Sequence, residues 1–179
     1  MYYRTRTYIA GDWDGDKDLI KKLYEWNENE NMLLSFSDAH ELTQARDSSL
    51  PCSIKKSLAE RLKASKTFLL VVGKKTTTVT KGACRYCENY SSNYICNKNH
   101  KLDMRSFVEY ECEKAVKDCL NIIVVYNFDS VKKSYCPELL KNVGKHIKGY
   151  YKGKDDKYYW NYVEIRDAIK NAGEINDVW

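Results

Sequence analysis

Four residues of the types that bind zinc lie close together near the middle of the chain. Cys84 and Cys87 are separated by two residues, and His100 follows Cys96 after three intervening residues. Two thiolates at this spacing can reach one ion, and the second pair would complete a tetrahedral Cys₃His set that holds a structural zinc. Because four protein ligands leave no open position, the ion would order the loop and would not catalyse hydrolysis. A disulfide or reduced thiols would use the same cysteines, with His100 exposed to solvent.

The chain contains seven cysteines, an odd number that argues against complete pairing. Closely spaced cysteines in an intracellular protein indicate metal or redox chemistry more often than disulfides. Cys52, Cys112 and Cys119 are expected to be ordinary small side chains, buried or half-buried. Cys136 is compatible with either a buried or an exposed position. These four cysteines are therefore left outside the predicted zinc set.

A second candidate for chemistry is the carboxylate of Glu111, which follows Phe107 by four residues near the start of a predicted helix. The amino-terminal end of a helix carries a partial positive charge that stabilises an acidic side chain. If the loop before this helix faces a ligand crevice, Glu111 would face it as well. A solvent-exposed acid on the helix surface has the same sequence pattern, so the spacing by itself leaves both interpretations open.

The elements that must position these residues alternate between strands and helices. Strands are predicted at 5–10, 32–36, 67–73 and 121–126, and helices at 16–27, 53–64, 107–119 and 158–169. The third and fourth strands are apolar throughout, which is typical of strands buried on both faces, and Ser53 is the predicted N-cap of the second helix. This order requires right-handed crossovers and predicts an α/β fold of the flavodoxin-like type, a parallel sheet flanked by helices.

The length of 179 residues predicts a single domain. Its core is expected to occupy about residues 5–128, interrupted by a Cys-rich insertion at about 74–105 and followed by a C-terminal helical elaboration at about 129–179. In parallel sheets of this kind, ligands bind beyond the carboxyl ends of the strands. The loops that follow the strands are therefore the expected walls of a binding crevice.

Composition and charge exclude several classes of protein. Hydrophobic residues make up 43% of the chain and charged residues 31%, which fits a soluble fold. The longest uncharged apolar run is far shorter than the roughly 20 residues that span a bilayer. The N-terminus has no signal-peptide pattern, so a cytoplasmic location without a membrane partner is expected. The sequence also carries no glycine-rich dinucleotide or phosphate loop and no Gly-x-Ser-x-Gly elbow.

The 30 basic and 25 acidic residues are interspersed along the chain, which argues against a nucleic-acid partner. The Lys- and Tyr-rich stretch at 141–157 is the exception, and it fits either an anionic partner or a solvated face. A zinc-ordered nucleic-acid-binding module is a third interpretation of the chain, but such modules carry a more concentrated basic stripe.

Three segments together resemble a known family. Residues 53–73 form a predicted helix and a strand that ends in glycine, residues 107–115 open the next helix with an aromatic residue and a Tyr-Glu pair, and residues 122–125 are a branched strand. In this order they resemble the bacterial TIR-like family, and within it the TIR-like proteins of Thoeris antiphage defence. The resemblance covers roughly residues 5–128. The long Cys-rich insertion departs from a minimal TIR domain.

The resemblance implies cleavage of NAD⁺ at the nicotinamide–ribose bond, with Glu111 as the catalytic residue. This carboxylate would engage the ribose hydroxyls and stabilise an oxocarbenium-like transition state. The loops after the first two strands would hold the rest of the nucleotide, and the implied substrate-binding residues are Ala10, Gly11, Asp12, Trp13, Ser37, Asp38 and His40.

The resemblance also implies partners. A phage-derived trigger would activate the enzyme, and a cyclic or amino-acid-conjugated ADP-ribose product would carry the signal to a separate effector. A homo-oligomer is compatible with this scheme. The alternative hypothesis is a noncatalytic TIR-like sensor or interaction module that recognises a phage component.

Overall fold

The computed structural model describes residues 6–32, 34, 36, 50–91 and 93–174. Its strands are β1 (Arg6–Ala10), β2 (Ser65–Val72), β3 (Tyr90–Ser91), β4 (Ile95–Cys96), β5 (Asn121–Tyr126), β6 (Lys145–Lys148), β7 (Tyr150–Lys152) and β8 (Tyr158–Trp160). Its helices are α1 (Lys17–Glu28), α2 (Pro51–Lys63), α3 (Phe107–Lys117) and α4 (Tyr162–Glu174). None of these helices is both long and apolar enough to cross a membrane.

The central sheet is parallel, which confirms the predicted flavodoxin-like α/β class. Its described strands lie in the order β1–β2–β5–β6, and each neighbouring pair runs in the same direction. The pairs β3–β4 and β7–β8 form two small antiparallel hairpins outside this sheet. Because β6 belongs to the sheet, the sheet extends past residue 128, where the sequence places the end of the core.

Two helices cover each face of the sheet. Helices α2 and α3 pack on the face that receives Phe68, Leu70 and Val72 of β2. Helices α1 and α4 pack on the opposite face, which receives Leu69 and Val71. Both faces of β2 are therefore buried, which explains its unbroken apolar sequence.

The N-terminus of α2 lies two residues before its predicted cap. The helix begins at Pro51, and Leu50 precedes it in an extended conformation, so the assignment of Ser53 as N-cap is wrong. Proline has its φ angle fixed near the helical value and has no N–H to satisfy, which favours it at the first position of a helix. This shift places Cys52 in the first turn of α2.

The predicted helix at 158–169 is wrong in its first part. Residues Tyr158–Trp160 form β8, and the helix starts at Tyr162. Aromatic side chains pair across the hairpin: the ring centroids of Tyr151 and Tyr159 are 6.0 Å apart, and those of Tyr150 and Trp160 are 5.8 Å apart. Cross-strand aromatic pairs of this kind stabilise a hairpin over a helix.

The predicted strand at 32–36 lies partly outside the described residues. Met32 ends a short 3₁₀ turn at Glu30–Met32, so a strand does not begin there. Leu34 is buried, and the backbone N–H of Phe36 donates a hydrogen bond to Asn27 Oδ1 at 2.7 Å. These contacts hold the segment against the end of α1.

Candidate functional site

Glu111 is a buried acid, which excludes the solvent-exposed position that its sequence context also allows. It lies on α3, only 5% exposed, on the same face as Val108, Cys112 and Ala115. The hydroxyl of Tyr8, a fully buried residue of β1, donates a hydrogen bond to Glu111 Oε1. The carboxylate therefore points toward the sheet and is oriented by a group that belongs to the first strand.

The first turn of α3 is fixed by a capping box. The Ser106 hydroxyl oxygen accepts a hydrogen bond from the backbone N–H of Glu109 at 3.2 Å, and Glu109 Oε2 accepts one from the backbone N–H of Ser106 at 2.6 Å. This arrangement satisfies two N–H groups that a helix start otherwise leaves unpaired. Because Glu111 follows two residues later, the capping box also sets its position along the sheet.

The described residues between α3 and the sheet form an apolar cluster, and Cys112 in this cluster is unsuited to act as a nucleophile. The Tyr8 ring stacks on Phe68 with centroids 5.9 Å apart. Burial raises the pKa of the Cys112 thiol well above its ordinary value, and the neighbouring charge of Glu111 raises it further. A thiol that stays protonated is a poor nucleophile. The chemistry available at this position is therefore that of a carboxylate in a dry environment.

The predicted substrate-binding residues at the end of β1 differ in their burial and in their contacts. Ala10 is buried, so its methyl group is part of the core. A Cβ atom on Gly11 would lie 3.2 Å from Val71 Cβ, so glycine lets the chain pass close to β2 at this point. Asp12 Oδ1 accepts a hydrogen bond from the backbone N–H of Asp14 at 3.2 Å and so shapes the loop.

Trp13 is the residue of this loop that offers a large surface to solvent. Its side chain is 42% exposed, and its ring lies 6.1 Å from the ring of Tyr24, which fixes one side of the indole against α1. An indole held in this way can stack on a planar ring. The other expected substrate-binding residues lie outside the described residues: Ser37, Asp38 and His40.

A polar junction that the sequence analysis missed joins the start of α1 to the ends of β2 and β5. Asp16, just before α1, is buried, and its Oδ1 accepts a hydrogen bond from Asn127 Nδ2 at 3.0 Å at the end of β5. A Cβ atom on Gly73, at the end of β2, would overlap the same carboxylate. Burial raises the pKa of Asp16, the hydrogen bond from Asn127 lowers it, and the charge of Asp12 raises it. The available signal was Asn127, a polar residue directly after the apolar strand β5.

A cleft of about 360 Å³ lies beside α3. Its lining includes Arg105, Glu109, Cys112, Glu113 and Glu138. Glu111 is not among the residues that line it. Arg105 is bound to Glu113 at 2.6 Å, and Glu138 is bound to Lys141 at 2.5 Å, so the charged groups at the cleft are already paired with one another or with their neighbours.

The four predicted zinc ligands, Cys84, Cys87, Cys96 and His100, line one small cavity. Cys52 lines it as well, although the sequence analysis treats that residue as an ordinary small side chain. Among the residues that the structure describes, no group of three cysteine, histidine or acidic side chains lies close enough together to coordinate one metal ion in its present conformation. The structure thus brings the predicted ligands together around one space without closing them into a coordination shell.

Comparison with known protein families gives a match to the amino-terminal part of the chain. Residues 8–81 match the model of the family described as Thoeris protein ThsB, TIR-like domain. The matched segment contains Tyr8, the strand-end residues through Trp13, and the junction residues Asp16 and Gly73, and it ends before α3 and Glu111. A search of curated proteins finds no match to this chain.

Proposed function

We propose that this chain cleaves NAD⁺ between nicotinamide and ribose, starting from the match of residues 8–81 to the TIR-like domain of Thoeris protein ThsB. The observation that carries the proposal is the buried Glu111 carboxylate held by the Tyr8 hydroxyl. One partner of this pair lies inside the family match and the other lies outside it. The matched segment and the candidate catalytic residue therefore form one local arrangement.

The proposed reaction breaks the bond between ribose C1′ and the pyridinium nitrogen. The bonding electrons pass to the ring nitrogen, nicotinamide leaves as a neutral molecule, and positive charge develops on C1′ and the ring oxygen of the ribose. A fixed carboxylate in an apolar environment stabilises such a charge more strongly than one in water. Water, or a nucleophilic group of the same nucleotide or of an amino acid, then bonds to C1′ and loses its proton.

Tyr8 acts in this scheme as a positioning residue. Its hydroxyl binds Glu111 and its ring stacks on Phe68, so the carboxylate has little freedom to rotate. A catalytic group must be held within a fraction of an ångström to be effective. Trp13 is the proposed stacking surface for a base or the nicotinamide ring, because its indole is half-exposed at the carboxyl edge of the sheet.

The wider role that we propose follows from the family. A phage-derived trigger activates NAD⁺ cleavage, and the ADP-ribose-derived product acts on a separate effector. One observation favours the second candidate, a noncatalytic module. Glu111 is only 5% exposed, which a purely structural carboxylate would also be.

Nicotinamide release from NAD⁺ separates the two candidates. We expect the purified protein to release nicotinamide when lysate from phage-infected cells is added, and Glu111→Gln to lower the rate at least about 100-fold. Glu113→Gln is the matched control, since Glu113 is an acid on the same helix with a 56% exposed side chain. Equal rates for Glu111→Gln and the wild type would remove Glu111 from the mechanism. No release by the folded wild type with lysates from a panel of phages would support the noncatalytic module.

A further inference from the structure

The cavity beside the N-terminus of α2 is lined by an unusual concentration of metal-binding side chains. Four cysteines and one histidine contribute to its wall: Cys52, Cys84, Cys87, Cys96 and His100. Its volume of about 10 Å³ is close to that of one water-sized sphere. The space is therefore suited to an ion and too small for an organic substrate.

The contact between Cys52 and His100 has the geometry of a hydrogen bond. Cys52 Sγ and His100 Nδ1 are 3.0 Å apart. Two atoms bound to the same tetrahedral zinc at the usual Zn–S and Zn–N lengths are roughly 3.5 Å apart. The observed separation therefore fits a hydrogen-bonded pair better than two ligands of one ion.

Cys52 is better placed than His100 to be the ligand. It is the second residue of the 13-residue helix α2, so a regular element holds it at the cavity wall. An imidazole N–H can donate a hydrogen bond to a metal-bound thiolate, which is the role left for His100.

Two further groups, one beside the cavity and one in its wall, are hydrogen-bond donors that suit thiolates. The backbone N–H of Asp103 donates to Cys84 Sγ at 3.2 Å. Asn89, which also lines the cavity, has a buried Nδ2 without a hydrogen-bond partner among the described residues. A buried amide donor without a partner is costly, and a negatively charged sulfur is an acceptor that would satisfy it.

We propose that the cavity binds one zinc ion through the four thiolates of Cys52, Cys84, Cys87 and Cys96, with His100 hydrogen-bonded to Cys52. This set differs from the Cys₃His set that the spacing predicts, because a cysteine from a distant helix takes the place of the histidine. Binding draws the four sulfurs together, as in metal sites that assemble only when the ion enters.

The ion would join two parts of the chain that are far apart in sequence. Cys52 belongs to α2, whereas the other three ligands belong to the segment between β2 and α3. Since α2 packs on the same face of the sheet as α3, the zinc would tie the Cys-rich segment to the helical layer that carries Glu111. This site is independent of the proposed NAD⁺ cleavage.

Metal analysis of the full chain tests the site. We expect one equivalent of zinc in the wild type and in Cys119→Ser, which removes an exposed cysteine outside the cavity. Cys52→Ser should weaken zinc binding at least tenfold in a competition with a chromogenic chelator. Cys52→His supplies another zinc ligand and should retain the ion, which keeps the test valid if the serine variant does not fold.

Cobalt(II) substitution then identifies the ligands, since thiolate and imidazole ligands give different visible spectra. His100→Asn should leave the cobalt spectrum of the wild type unchanged, and Cys52→His should shift it. A spectrum that changes in His100→Asn and not in Cys52→His would overturn the assignment in favour of the Cys₃His set. Less than a tenth of an equivalent of zinc or cobalt bound by the folded wild type would exclude the site.

Discussion

The Tyr8 hydroxyl donates a hydrogen bond to the Glu111 carboxylate and so joins β1 to α3 across a separation of 103 residues in the chain. Both residues are buried, and both lie on the side of the sheet covered by α2 and α3. A buried carboxylate needs polar partners because desolvation otherwise disfavours its charge. The pair thus makes the position of the candidate catalytic residue depend on the first strand of the sheet.

Replacing Tyr8 by phenylalanine tests this dependence. The Tyr8→Phe variant keeps the ring that stacks on Phe68 and removes one hydrogen bond from Glu111. We expect the free energy of unfolding to fall by about 1–3 kcal/mol, measured by urea denaturation, because the lost bond joins two buried polar groups. Tyr158→Phe, at a 60% exposed position, should change it by less than about 0.5 kcal/mol. An equally small change in Tyr8→Phe would show that the bond does not stabilise the fold.

The capping box of α3 gives a second prediction. Ser106→Ala removes the hydroxyl that accepts from the Glu109 backbone N–H, and we expect a loss of about 1 kcal/mol in the free energy of unfolding. The matched control is Ser130→Ala, whose exposed hydroxyl binds only the adjacent Asp129 side chain among the contacts described. Thermal and chemical denaturation of both variants measure the difference. Similar stabilities for the two variants would contradict a role for the capping box.

Gly73 and Asp16 give a third prediction, by a double-mutant cycle. Gly73→Ala places a methyl group where the Asp16 carboxylate lies, so we expect it to destabilise the protein by about 1–3 kcal/mol. In an Asp16→Ala background the methyl group has room, and the same substitution should cost at least about 0.5 kcal/mol less. Strictly additive effects in urea denaturation would show that the two residues do not compete for this space.

The fourth prediction concerns pH. Burial alone would raise the pKa of Asp103, but hydrogen bonds from Arg105 and the charge of Lys55 lower it to about 2. Lys55 is buried, and its Nζ lies 3.3 Å from Asp103 Oδ1. Since the folded pKa lies below the unfolded value, the ionised group stabilises the fold above about pH 4 and loses this effect as the pH falls toward 2.

Asp103→Asn should therefore cost about 1–3 kcal/mol at pH 7, and the difference from the wild type should narrow as the pH falls from 5 to 3. Urea denaturation at several pH values measures both effects. Glu113→Gln is the control. The Glu113 side chain is 56% exposed, so its ion pair with Arg105 should contribute less than about 1 kcal/mol to the free energy of unfolding. A difference between Asp103→Asn and the wild type that is independent of pH would contradict the assignment to the Asp103 charge.

Local patterns in the sequence were sufficient for most elements. The type and approximate bounds of β2 and β5 follow from their apolar runs, and those of α1 and α3 follow from the periodicity of their apolar residues. Both patterns can be read from the sequence because burial on one or two faces determines where apolar residues occur along an element. The hairpin at Tyr150–Lys152 and Tyr158–Trp160 was not predicted. Its stability comes from aromatic contacts across two strands, and an aromatic-rich segment beside a helix has the same local pattern.

The candidate sites were also predictable from the sequence only in part. The zinc-type spacing of Cys84, Cys87 and Cys96 is local and could be found in the sequence, whereas the presence of Cys52 at the same cavity could not, because it lies on a different helix. Glu111 could be chosen as a candidate from its position near the start of a helix. Its burial and its hydrogen bond to Tyr8 could not be predicted from the sequence.

The sequence by itself determined the α/β class, the order of the main elements and the candidate carboxylate and thiols, since these depend on residue type and spacing along one stretch of chain. Only the tertiary structure decided which distant residues meet: Tyr8 with Glu111, Asp16 with Gly73 and Cys52 with His100. The physical reason is that the parallel sheet brings strand ends and helix starts together through long crossovers. Contacts across such crossovers leave no periodic signal in either partner segment.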